Sequence, residues 1–365
     1  MHPGRAGKVK SNPLAADLDH ILIHTEHIWN ELRHKRLFIT GGTGFFGCWI
    51  LESFAWANDK FDLHASALVL TRNYDHFQKK APHLANHPAI QFHAGNVRNF
   101  DFPEGEFSHI IHAATSASSQ LNDEDPLLMF DTIIEGTRHT LDFAARCHAQ
   151  KFLLTSSGAV YGKQPSDMIH MPEDYRGATD PLDPGSAYGV GKRAAELLCT
   201  LYSKKHGIEA KIARCFAFVG PYLPLDIHYA IGNFIRDGLH GGPIRVNGDG
   251  TPYRSYLYAA DLAIWLWTIL LKGEPRRAYN VGSEEAITIA DLARTAAQCF
   301  RNPVEVIIAG KPTPGKPPER YVPLSKRARE DCNLRQIVDL VDGIKRTIKS
   351  HELSHERDCR KQTTP

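Results

Sequence analysis

The chain has no apolar run long enough to span a bilayer, and no apolar signal core follows its amino terminus. Its most apolar helical stretch, Ile264–Leu271, is far too short for a span. No basic stripe stands out either. The 43 Lys and Arg against 41 Asp and Glu leave a formal net charge of +2, which argues against nucleic acid as a main partner. The seven cysteines (Cys48, Cys147, Cys199, Cys215, Cys299, Cys332, Cys359) are scattered and form no C-x-x-C pair. That suits a reducing compartment better than a disulfide framework. Histidine is plentiful, at 20 residues, yet no H-E-x-x-H or comparable spacing occurs, so no metal site is expected. These absences describe a soluble, cytoplasmic protein.

What is present centres on Leu37–Gly47. The short apolar run Leu37-Phe38-Ile39 has the character of a buried parallel strand. It enters a turn with Gly42, Gly44 and Gly47 at G-x-G-x-x-G spacing, and Phe45–Ala57 then continues with helical character. Glycine lets backbone approach a ligand closely, and the amides opening a helix favour negative charge. Between a strand and a helix, this turn is a dinucleotide signature that can wrap a pyrophosphate.

Further strands are expected at Ala67–Leu70, Ile90–His93, Ser108–His112, Phe152–Thr155 and Ala210–Arg214, with helices at Pro126–Ala149 and Ser186–His206. Alternation of this kind implies right-handed crossovers and a doubly wound parallel α/β sheet. At 365 residues the chain suits one large or two closely joined domains. Residues 1–35 read as a helical extension packing against the sheet, its helix starting at Asn12-Pro13. Residues 36–215 read as a dinucleotide-binding domain with a return segment over 258–280. After Phe216 the elements become short and broken by Gly and Pro, so 216–257 and 281–350 form a smaller carboxyl-side substrate domain. Lys311–Pro318 is a loop, and 351–365 is a loose polar tail.

Tyr188 and Lys192, four apart at the start of a helix, share one face about 6 Å apart. A free tyrosine titrates near pH ~10, and a neighbouring ammonium favours its phenolate. Such a tyrosine can take or return a hydroxyl proton while a hydride moves. Leu154–Gly162 ends a strand with Thr155, Ser156 and Ser157. Ligands of open α/β sheets bind at that end, where a Ser157 hydroxyl can hydrogen-bond the reacting oxygen.

With these residues in hand, the chain from Leu37 to Ser350 resembles the extended short-chain dehydrogenase/reductases, in their nucleotide-sugar epimerase/dehydratase group. The resemblance rests on Thr40–Gly47, Ile111–Ala114, Gly136-Thr137, Ser157–Gly162, Tyr188–Lys192, Gly220-Pro221, Arg254 with Tyr258 and Asp261, and Tyr279–Gly282. It implies a Rossmann-like domain holding NAD or NADP and a carboxyl-side domain gripping a nucleoside diphosphate sugar. It gives Tyr188 the acid/base role, Lys192 the nicotinamide ribose and Ser157 the reacting sugar oxygen, usually at C4. Cofactor contacts would come from Gly41, Gly44, Phe45, Phe46, Gly47, Arg72, Asn96, Val97, Ala113 and Ala114. Thr115, Asn233 and Arg254 would join Ser157 in substrate binding, Arg254 at the diphosphate. A homodimer would pair the Pro126–Ala149 and Ser186–His206 helices.

The chain also departs from that pattern. Gly158-Ala159 stands where dehydratases carry Asp-Glu and where decarboxylases place a glutamate at the second position. Neither residue can move a C5 proton or protonate a leaving hydroxyl, which disfavours dehydration and decarboxylation. Ala217, Ile133 and Ser255 replace an asparagine, an asparagine and an aspartate of the family, and Asn96 replaces an adenine-facing aspartate. Thr71-Arg72-Asn73 offers no carboxylate for the adenosine ribose, while Arg72 can pair with a 2′-phosphate or stack on adenine. NAD and NADP both remain open. The reading is an epimerase working through transient oxidation at C4. The alternatives are an NADPH-dependent 4-keto nucleotide-sugar reductase, then a 4,6-dehydratase, then a non-catalytic dinucleotide-binding protein.

Overall fold

The computed structural model describes residues 12–115, 119–226 and 229–362. The expected strands form β1 (Arg36–Thr40), β2 (Ser66–Thr71), β3 (Ile90–Ala94), β4 (His109–His112), β5 (Lys151–Ser157) and β6 (Glu209–Cys215). With Ala278–Val281 they make one parallel sheet of seven strands, ordered Ala278–Val281, β6, β5, β4, β1, β2, β3. The seventh strand was not expected. It is four residues long and buried throughout, so no polar alternation marks it. Strand order reverses between β1 and β4, so the loops leaving these two strands open a crevice at the carboxyl edge.

Helix α2 (Phe45–Lys60) follows the glycine turn directly. Two further helices, Pro126–Arg146 and Ala187–His206, pack against each other, and their apolar faces close on Phe38, Ile110, Phe152 and Leu154 of the sheet. In the Ala259–Lys272 helix every residue from Ala259 to Leu271 is buried. A helix apolar all round needs cover on its outer side as well. That cover is α1 (Ala15–Trp29), which packs chiefly on this helix and on α2, with Trp29 against Trp267 at 4.9 Å between rings. The amino-terminal extension therefore forms a layer outside the helices, rather than packing against the sheet as expected. Asp17 on α1 accepts a hydrogen bond from Tyr258 at 2.8 Å and pairs with Arg346 of the last helix.

The carboxyl-side region is built from very short pairings. Tyr253-Arg254 lies between Ile287-Thr288 and Arg320-Tyr321, and Ile244–Val246 pairs with Val306–Ile308. The Lys311–Pro318 stretch carries no helix or strand. Residues 351–362 of the expected loose tail are instead helical, continuing the Leu340–Gln362 helix, and 363–365 lie outside the described residues. Among the described residues, no helix is long and apolar enough to cross a membrane.

Candidate active site

The turn after β1 is set by backbone proximity. Gly41 has φ +73, and a Cβ there would stand 2.3 Å from the carbonyl oxygen of Ala113, just beyond β4. A Cβ on Gly47 would meet the Gly41 oxygen at 2.3 Å. The conformational demand thus falls on Gly41, not on Gly42 as the spacing suggested. Gly42 instead packs on Val69. Gly44 caps α2, and only the Gly41 oxygen comes near its missing Cβ, at 3.4 Å. One side of the turn is therefore filled with protein while the other stays open toward the amides of α2. Phe45 and Phe46 form the first turn of that helix, with Phe46 edge-on to Phe218 at 5.1 Å.

The end of β4 is held beside this turn. Thr40 Oγ1 and Thr137 Oγ1 bond the two nitrogens of buried His112, at 2.8 and 3.1 Å, and Ala113 and Ala114 donate their amides to Thr40. Burial, then the nearby Lys192 charge, pushes His112 down to about 3, so its ring is neutral. Arg72 is exposed just past β2. Asn96 is half-buried, its side-chain oxygen accepting from the Arg98 amide at 3.1 Å, and Val97 is buried against Gly136. Gly41, Gly44, Gly47 and the Ala113-Ala114 backbone leave a cradle that a dinucleotide fits, with Arg72 and Asn96 placed beyond β2 and β3.

Deeper in the crevice, β5 delivers Ser157 and the Ala187–His206 helix delivers Tyr188 and Lys192. Lys192 is buried, its ammonium donating to the Thr155 carbonyl at 2.8 Å and to Thr115 Oγ1 at 3.0 Å. Burial pushes this lysine down to about 8. The Thr115 hydroxyl accepts from Lys192 and keeps its own O–H free to donate. The ammonium lies 5.8 Å from the Tyr188 ring centre. The expected lowering of the tyrosine is outweighed: burial pushes the Tyr188 phenol above its ordinary value, and Ser157 offsets only part of that rise. Asn122 fixes the helix start, accepting from the Tyr188 amide at 3.1 Å and donating to the Gly185 carbonyl at 2.9 Å.

The most informative residue is one that the sequence did not single out. Tyr321 places its hydroxyl 3.5 Å from Ser157 Oγ, and its ring lies tilted against Phe216 with centroids 4.6 Å apart. A Cβ at position 158 would lie 2.7 Å from both the Tyr321 hydroxyl and the Phe216 ring. Glycine at 158 is therefore matched to two aromatic side chains that occupy the room of a larger residue. Burial pushes Tyr321 up to about 12. No motif of the sequence marks it; it lies shortly after the Lys311–Pro318 loop.

The expected substrate contacts divide. Arg254 is half-buried and paired in register with Tyr321, so it belongs to the same carboxyl-side wall. Asn233 lies on the Ala230–Leu239 helix, where its oxygen accepts from Arg236 at 3.2 Å, and among the described residues no hydrogen bond joins it to Ser157, Tyr188 or Lys192. Residues 116–118, following Thr115, and 227–228, ahead of the Asn233 helix, lie outside the described residues. Ile133 packs on the position of Gly191, next to Lys192. Asp261 accepts from the Ile337 and Val338 amides at 2.9 and 3.0 Å, a structural role.

A parallel sheet with a glycine cradle at its switch point, and a Ser, Tyr and Lys beside it, defines a Rossmann-like dinucleotide enzyme. The model of the NAD dependent epimerase/dehydratase family matches residues 37–282, and the chain belongs to that family. It is 31% identical to UDP-glucuronic acid decarboxylase 6 of Arabidopsis thaliana over 85% of this chain and 87% of the relative. UDP-glucuronic acid decarboxylase 1 of Xenopus tropicalis is 27% identical, over 92% of this chain and 76% of the relative. Among solved structures, UDP-glucose 4-epimerase of Thermotoga maritima with UDP-glucose superposes with a TM-score of 0.72 at 18% identity. It covers 88% of this chain and 99% of its own. The dTDP-glucose 4,6-dehydratase DesIV of Streptomyces venezuelae, with NAD bound, gives 0.73 at 22% identity, over 88% and 98%.

Proposed function

We propose that the chain is a nucleotide-sugar epimerase that oxidises and re-reduces its substrate at C4 with a retained nicotinamide cofactor. The observation that carries this reading is Ser157, Tyr188 and Lys192 at one strand end, with no carboxylate at Gly158-Ala159 and with Phe216 and Tyr321 filling the room there. Oxidation and return at one carbon need a proton acceptor and an oxyanion partner, and no second acid. The bound dinucleotide supplies the hydride acceptor and donor. Tyr188 takes the hydroxyl proton, Ser157 holds the reacting oxygen, and Lys192 supplies a fixed positive charge below them. Residues 36–215 with 258–280 hold the cofactor, and 216–257 with 281–350 grip the nucleoside diphosphate through Arg254.

Two further readings have specific support. The similarity to UDP-glucuronic acid decarboxylases favours a uronic acid substrate, against which stands the missing glutamate at Ala159. Arg72, without a carboxylate beside it, favours NADPH and a 4-keto reductase. A homodimer is supported by Leu197 and Leu201, one turn apart and 58% and 52% exposed, together with Leu127 at 75%. The free thiols among the described cysteines suit a cytoplasmic setting.

The test is mass spectrometry of the purified protein for bound cofactor, followed by incubation with UDP-, dTDP-, CDP- and GDP-sugars including UDP-glucuronic acid. Epimer formation without added cofactor is the expected result. Release of carbon dioxide, or turnover only with added NADPH, overturns the epimerase in favour of the decarboxylase or the reductase.

A further inference from the structure

A second cavity of about 920 Å³ lies between the Ala187–His206 helix, β6 and the segment leading into Ala278–Val281. Six guanidinium groups line it: Arg176, Arg193, Arg214, Arg276, Arg277 and Arg327. Three of them are already engaged. Arg214 forms a two-pronged pair with Glu196 at 2.7 and 3.0 Å, Arg193 donates to the carbonyls of Val160 and Gly177, and Arg277 pairs with Asp331 at 2.6 Å. Among the described residues, no carboxylate lies within ion-pair distance of Arg176, Arg276 or Arg327. The Arg327 side chain donates to the Ala278 carbonyl at 3.2 Å.

Arg276 also sits in the left-handed region at φ 60, its amide tied to the Ala210 carbonyl at 2.6 Å. A non-glycine residue is uncommon there, and such outliers gather at functional positions. The acids of the cavity offset this charge only in part. Glu196 is consumed by Arg214 and by Ser156, which donates to it at 2.6 Å, while Asp174 and Glu274 are exposed. Glu173 is buried, its carboxyl pushed up by that burial, with the nearby Arg327 charge offsetting part of the rise, so Arg327 is partly balanced from this side.

We propose that this cavity binds a small molecule carrying more than one phosphate charge, held by Arg176, Arg276 and Arg327. Guanidinium groups match phosphate oxygens two at a time, and the volume lies within the range of small-molecule sites. Tyr175, half-buried in the lining, offers a ring against the rest of such a ligand. The site is separate from the Ser157 crevice, although Glu196 touches both: it forms the cavity floor and bonds Ser156, next to Ser157.

Calorimetric titration of the full chain with inorganic tripolyphosphate at 0.15 M salt tests this. The expected result is a saturable binding component that weakens at least tenfold in the Arg176→Gln/Arg276→Asn double variant and persists in Arg254→Gln, which removes only a component bound in the crevice. Both altered side chains are exposed, and asparagine tolerates the backbone of position 276, so the fold is kept. Asp174→Asn should tighten binding. Absence of saturable heat, equal binding by the double variant, or loss of binding in Arg254→Gln would overturn the proposal.

Discussion

The two walls of the crevice are built by different means. On the cofactor side, β1 and β4 run side by side for four residue pairs, and glycine-to-backbone packing at 41, 47 and 113 fixes the turn. On the carboxyl side, Arg254 and Tyr321 sit in pairings two residues long, and the side chains themselves make the wall. The first wall can change little without losing the fold. The second can exchange a side chain at modest cost, so substrate choice can vary above a constant cofactor cradle.

The strongest test of that contrast is chemical. Tyr188→Phe should lower turnover by about 10²–10⁴-fold while leaving dinucleotide binding intact, as read by steady-state kinetics and a cofactor titration. Activity within a few-fold of the parent would remove Tyr188 from its assigned role. Next, Gly47→Val should cost about 3 kcal/mol or more and abolish cofactor binding, because its side chain meets backbone rather than a movable group. Gly44→Ala, whose Cβ would meet only the Gly41 oxygen at a contact distance of 3.4 Å, should keep the melting temperature and weaken only the dinucleotide. If both variants melt alike, the cradle is not rigid in the way described.

A pH series separates the walls again. With Lys192 pushed down to about 8, its ammonium is lost as pH rises through that value, so the rate should fall about tenfold per unit above it. Stability should move the other way. The folded chain binds fewer protons than the unfolded one between the shifted and ordinary lysine values, so the melting temperature should gain from this group across that window. Lys192→Met should remove that gain; if the gain persists, another group is titrating.

On the opposite wall, Tyr321→Phe should lower kcat/KM by roughly tenfold or less, through loss of its hydroxyl beside Ser157, with cofactor affinity unchanged. A loss as large as that of Tyr188→Phe would make Tyr321 a second proton-transfer group. The smallest effect is expected outside both walls, at Glu31. Burial raises this carboxyl, but hydrogen bonds from His109 and Lys151 outweigh it and bring it to about 2. Its contribution is complete above the ordinary carboxylate range and disappears as pH falls through about 2. Glu31→Gln should therefore cost about 1 kcal/mol at neutral pH in chemical denaturation, and nothing in strong acid. An undiminished difference in strong acid would refute the ion-pair account.

The same contrast explains what could be read from sequence. Leu37–Ile39, Ala67–Leu70 and Phe152–Thr155 are apolar because both sheet faces are covered, and glycines 41 and 47 are demanded by backbone contact. Both constraints leave a local signature. Ala278–Val281 escaped because four buried residues have no period. Tyr321 escaped because its importance depends on a glycine 163 positions earlier in the chain, and no local pattern records that pairing. The α1 layer was legible as a helix, but its neighbour was not, since its deepest partner is Trp267.

That last contact has a consequence for how the molecule is made. Trp29 leaves the ribosome 238 residues ahead of Trp267, the ring it will lie against. At ordinary elongation rates the interval is roughly 10–50 s. Through that time the greasy inner stripe of the first helix lacks its deepest partner, so a nascent chain stalled before residue 259 is the species that chaperones would most need to shield.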